Sequence, residues 1–328
     1  MNDHNPVIDS QPSELPEPSE DTMPSEHVDP SRTHTSAPRS IAWRRLRATA
    51  WMLGSLLLGW VAVWGSVLVV GKGLVPLIDT VLQPESDWLS AIRRTSIFLA
   101  ATVGYWAYVH WYEKRKATEL RLRAVPLMLG GAGGAALMAV PIAVLFALGA
   151  YEMVLFRGGS RALSGVAVII VMAATLEELV FRCVLFRVLE RYWGTGAALA
   201  VQAVLFALRH LENIGNGGTS DVVVMLVTVT LGGLLWAGVF VLTRNLWAAV
   251  ANHAAWNFTI LLSGVPLSGI EDWRVIAPLE SRYAGPDWLT GGMFGPESSL
   301  LVIMSTTVTV VLLLRAARRR GAFLKPAA

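Results

Sequence analysis

The residues best equipped for chemistry lie where ionisable side chains are scarce. An apolar stretch from Val166 to Glu190 carries two adjacent carboxylates and an arginine, Glu177-Glu178-Leu-Val-Phe-Arg182. On insertion scales a charge at that depth in a membrane helix costs about 2.5 kcal/mol or more, so such groups are kept where they pair or react. Two later apolar stretches each carry one histidine, in Phe206-Ala-Leu-Arg-His210 and in His253-Ala-Ala-Trp-Asn257. Successive side chains on an α-helix are turned by about 100°, so Glu177 and Glu178 point in different directions. Glu178 and Arg182, four apart with the acid first, are set for an ion pair that fixes helix geometry. Glu177 is left without a local partner. His253 and Asn257, at i and i+4, share one helix face. Phe206 and Trp256 read as packing residues, and Arg209 beside His210 is a charge with no evident use.

This set suits hydrolysis. A carboxylate in a low dielectric has a raised proton affinity and can take a proton from water. One imidazole can position that water, and a second imidazole with an amide can donate to a developing oxyanion. Glu177, His210 and His253 could instead hold a divalent metal such as zinc, for which His and carboxylate are ordinary ligands. The H-E-x-x-H spacing that places two ligands on one helix is absent.

The elements that must position these residues are membrane helices. The chain has 328 residues, of which 54% are hydrophobic and 16% charged, against about 25% charged in soluble domains; its mean hydropathy is +0.51. Several apolar runs approach the roughly 20 residues that cross a bilayer as helix. The pattern predicts an all-α polytopic transmembrane bundle of about eight spans, near 49–70, 91–111, 126–150, 163–189, 195–211, 221–243, 246–264 and 299–314. The fifth is short. Residues 1–38, with seven prolines and few large apolar side chains, are expected to form a disordered cytoplasmic tail. Residues 39–160 supply N-terminal transmembrane helices, 161–265 the helices with the chemistry, and 266–328 an extracytoplasmic loop, a last transmembrane helix and a basic cytoplasmic tail.

The Lys and Arg distribution orients these spans. With eight spans and a cytoplasmic N-terminus, seventeen Lys/Arg fall on the cytoplasmic side and seven on the other. Both termini are therefore expected in the cytoplasm. The net charge of +3 belongs to basic residues beside the spans, which gives no case for a nucleic-acid partner. The single cysteine, Cys183, excludes an intramolecular disulfide and a cysteine metal cluster.

Glu177-Glu178-x-x-x-Arg182, Phe206-x-x-x-His210 and His253-x-x-x-Asn257 resemble, in order, the three motifs of the CAAX-protease and bacteriocin-processing intramembrane proteases, the CPBP or Abi family. The resemblance covers roughly residues 160–265. It implies an eight-helix bundle around a cavity, an integral protein of a bacterial plasma membrane, and hydrolysis of a membrane-associated peptide or protein substrate in the bilayer. It also implies that Glu177 and His210 activate water while His253 and Asn257 hold the oxyanion. Glu, His and Arg at membrane depth also build proton relays, so a proton-coupled transporter is an alternative, as is an inactive family member acting as a scaffold. Counting about 1.5 Å per residue from the flanking turns puts Glu177, His210 and His253 at matched depth. The four site residues are expected to meet in one water-containing cavity opening toward the cytoplasm.

Overall fold

A computed structural model describes residues 41–326 apart from residue 216; the expected N-terminal tail lies outside the described residues. The fold is helical, with one small two-stranded ribbon. Helix α1 (Ile41–Val69) runs through a π-helical turn into α2 (Val75–Leu82). Helix α3 (Ser86–Ala107) returns antiparallel to it, and α4 (Ala124–Ala147) leads to strand β1 (Tyr151–Phe156). Helix α5 (Arg161–Glu178) passes through the π-helical segment Leu179–Phe186 into α6 (Arg187–Arg209). Helix α6 is broken at Gly194 (φ 78°, ψ 167°). The break makes a hairpin: Arg182 and Phe206, twelve residues to either side, lie face to face. Helices α7 (Thr219–Thr243) and α8 (Leu246–Leu262), strand β2 (Leu279–Tyr283), the short α9 (Asp287–Thr290) and α10 (Leu300–Arg319) complete the order.

Counted with the α5–α6 hairpin as two limbs, the described residues hold eight long helical segments. Four of these helices are long and apolar enough to cross a membrane on their own: Trp43–Leu82, Ala124–Ala147, Thr219–Thr243 and Leu300–Arg319. The other four segments fall short of that by length or charge. Helix α3 carries Asp87, Arg93 and Arg94, the α5–α6 hairpin carries the site charges, and α8 has only 17 residues. Large apolar side chains on the outer faces, such as Leu57, Trp60, Val125, Met128 and Leu312, are exposed. An apolar surface of that extent needs lipid as its solvent. The protein is an integral membrane protein.

Small residues let the helices meet backbone to backbone, as membrane packing requires. A Cβ on Gly130 would lie 2.3 Å from the Ala248 carbonyl oxygen, and one on Gly134 would lie 2.0 Å from that of Asn252. Helix α4 is thereby pressed onto α8, the helix that carries His253, and Asn252 Nδ2 donates to the Gly130 carbonyl at 3.0 Å.

The two ends of the bundle differ. At one, Asn245 Nδ2 donates to the Arg121 carbonyl and Trp247 Nε1 to that of Leu120, both at 2.7 Å. Arg244 binds Glu190 at 2.5 Å and also the carbonyl of Ala322. Thr195 and Leu324 exchange two further bonds, N–H to carbonyl at 3.1 Å and N–H to Oγ1 at 2.8 Å. Arg187 reaches Glu113 at 2.6 Å. Glu119 accepts from Arg115 and Tyr105 at the same end; burial alone would push its carboxyl up, and these donors outweigh it and hold the group below the usual carboxylate range. The segment after α10 reaches this arginine-rich end through Ala322 and Leu324. The opposite end holds the antiparallel ribbon β1–β2, whose register is irregular between Met153 and Leu155. There Tyr151 also donates to the Thr290 carbonyl, and Gly269 N–H to that of Phe294 at 3.1 Å.

Candidate active site

Glu177 and Glu178 end α5 where the helix widens into the π-helical segment. π-Helical turns are rare and frequently mark functional sites. The Glu178 carboxylate is fully buried and 3.0 Å from Arg182 Nε, itself fully buried. The rest of the guanidinium is enclosed by the Phe206 ring, with its carbon 4.7 Å from the centroid, and by the Gly233 carbonyl at 3.2 Å. That carbonyl also accepts from Gln202 Nε2 at 3.0 Å.

Glu178 does more than the i,i+4 pattern assigned to it. Its Oε1 lies 3.0 Å from His253 Nδ1, while His253 Nε2 is 3.8 Å from Glu177 Oε2. The two carboxylates leave the helix in different directions, as 100° spacing requires. The imidazole bridges them, one nitrogen to each. Trp236 stacks on this ring at 3.6 Å and 16°. Since a carboxylate only accepts, Nδ1 carries the hydrogen that binds Glu178.

His210 follows the last residue of α6, and its Nδ1 lies 2.8 Å from the Phe206 carbonyl of its own helix, which leaves Nε2 free. Arg209 turns away to the exposed surface and pairs with Glu212, which accounts for that charge. Asn257 follows His253 by one turn of α8.

Glu177, His210, His253 and Asn257 line one cavity of about 120 Å³, room for a few waters at about 30 Å³ each. Glu178 and Arg182 lie beneath it, buried from solvent. The cavity walls outside the long helices come from Asn213, Leu267, Ser268, Ile270, Trp273 and Glu297, in segments at the end opposite the arginine-rich one. Toward the arginine-rich end the floor is closed by Arg182, Gln202 and the buried side chains around them. The loops that bound the cavity lie at the end opposite the arginine-rich one, because α6 stops at Arg209 and leaves the connection to α7 beside the site.

Glu297 was not anticipated. It sits in a short 3₁₀ turn just before α10 and lines the cavity with both histidines. Its Oε1 accepts from Trp256 Nε1 at 3.1 Å, and its Oε2 accepts from Ser268 N–H at 2.8 Å and Ser268 Oγ at 2.7 Å. Burial pushes its carboxyl above the usual range, and the Ser268 and Trp256 donors draw it partway back. The one sequence signal is a lone acid in Gly295-Pro-Glu-Ser-Ser299, directly before an apolar span.

Among the described residues no three His, Cys, Asp or Glu side chains come together as a ligand set. Glu177 and His253 approach each other, but Glu177, His210 and His253 do not converge as the zinc alternative requires.

Residues 159–259 match the Rce1-like family, type II CAAX prenyl endopeptidases, within the same protease family that the three motifs resemble. The match spans all three motifs and ends before Glu297. A comparison with curated proteins finds no match.

Proposed function

We propose that this chain is an intramembrane endopeptidase that hydrolyses a peptide bond of a membrane-associated peptide or protein. The observation that carries this reading is the meeting of Glu177, His210, His253 and Asn257 at one cavity, from three helices in the order of the matched family's motifs. Glu177 takes a proton from a water that His210 Nε2 helps to hold, and the water oxygen adds to the scissile carbonyl carbon. Asn257 Nδ2 and His253 Nε2 donate to the resulting oxyanion. Glu178 constrains that last role. With the Nδ1 hydrogen committed to Glu178, donation from Nε2 requires that nitrogen to carry a hydrogen as well. The proton held by Glu177 then passes to the leaving amine as the C–N bond breaks.

The bundle crosses a bacterial plasma membrane eight times with both termini cytoplasmic, in line with the excess of Lys and Arg at the arginine-rich end. The short and charged helices cross as members of the bundle rather than alone. A Glu177→Gln variant, purified from membranes with the peptides it retains, is expected to capture segments that the wild-type protein cleaves. Captured peptides that the wild type leaves intact, together with proton flux in liposomes, would turn the reading to a transporter. A reporter fused after Lys325 should read as cytoplasmic; an extracytoplasmic reading would reject the orientation and the even number of spans.

A further inference from the structure

Three groups that line the cavity or meet it are unused by the proposed chemistry: Trp256, the Ser268–Gly269 turn and Glu297. They form one unit. Glu297 joins α8, through Trp256, to the Ser268 turn in the connection between α8 and α10. Ser268 holds a left-handed backbone (φ 51°), an unfavourable conformation for a residue with a side chain that persists only where the surroundings impose it. Here the imposing group is a carboxylate that accepts from both its N–H and its hydroxyl. The Ser268 carbonyl in turn accepts from Asn213 Nδ2 at 3.3 Å, three residues after His210. Trp256 precedes Asn257 on α8, and its ring meets Trp236, which stacks on His253. One buried carboxylate thus links the segment after His210 with the helix of His253 and Asn257.

We infer that Glu297 is a positioning residue of the candidate site: it clamps the Ser268 turn over the cavity and fixes the two histidine-bearing elements relative to each other. It touches no reacting atom. Both oxygens are engaged by Trp256 and Ser268, so its effect runs through the elements it joins. A glutamine could accept through its single oxygen but would set an N–H₂ against one of the donors, releasing either the turn or Trp256. The inference rests on the protease reading only for the purpose of the cavity; the clamp is read without hydrolysis.

The test places a cysteine inside the cavity and measures its access to solvent. Ala173 lines the cavity and has no part in the proposed chemistry, so Ala173→Cys reports on the roof, while the native Cys183, fully buried elsewhere, serves as an internal control. In detergent-solubilised full-length protein, Glu297→Gln should speed labelling of Ala173→Cys by a membrane-impermeant maleimide at least tenfold, with Cys183 still unreactive. Ser268→Ala, which removes one of the three bonds, should give a smaller increase, and Glu177→Gln none. An unchanged rate in Glu297→Gln would overturn the inference. So would joint labelling of Cys183, which would mark general loosening. Neither result bears on the protease reading, which stands or falls with hydrolysis in Glu177→Gln.

Discussion

Glu177→Gln is expected to abolish peptide hydrolysis while leaving the fold intact. Glutamine keeps the shape and the carbonyl oxygen near His253 but cannot take a proton from water. Losing a general base lowers kcat by about 10²–10⁴-fold. Because the Glu177 side chain is about one-third exposed and lies 3.8 Å from His253 Nε2, little packing depends on its charge. The melting midpoint in detergent should therefore stay within a few degrees of wild type. A variant with wild-type turnover would remove Glu177 from the mechanism.

Glu178→Gln should do the reverse to stability and also stop turnover. Its carboxylate neutralises Arg182, and neither side chain has any solvent exposure. Removing one partner of a buried pair typically costs about 3–5 kcal/mol, because a charge is left in a medium that cannot solvate it. The melting midpoint should fall by roughly 10 °C, and His253 loses the acceptor that fixes its Nδ1 hydrogen. Combining Glu178→Gln with Arg182→Leu removes both charges and should recover much of the stability but none of the activity. If Glu178→Gln melts as wild type does, the pair is not the keystone of this site.

Much of the site was legible because depth along a helix is simple arithmetic. Equal counts from the hairpin at Gly194 bring Glu177 level with His210, and the charge pattern identified Arg182 as the partner of Glu178. The second role of Glu178 was not legible. It depends on where α8 lies across from α5, a long-range placement set by close α4–α8 contacts at Gly130 and Gly134, and it adjoins a π-helical segment that regular 100° spacing does not describe. The hairpin break and the short fifth pass were legible from the glycines and the length of the apolar run. Glu297 was hidden for a different reason: it lies 120 residues after Glu177, in a loop whose composition says only that it is not a helix. Of the eight spans expected, four helices are long and apolar enough to cross a membrane on their own. Helices that carry the site charges do not stand out as spans, because their polar residues lower the hydropathy of the segment.

The place of Glu297 in the chain has a consequence for biogenesis. A nascent polypeptide inserts its helices in the order of translation, so Glu177, His210, His253 and Asn257 are all made before the cavity has its full wall. That wall closes only when the segment before α10 emerges, and the Thr195–Leu324 and Arg244–Ala322 bonds can form only after α10 itself. During synthesis the growing chain therefore holds these four residues before the Glu297 side of the cavity is in place.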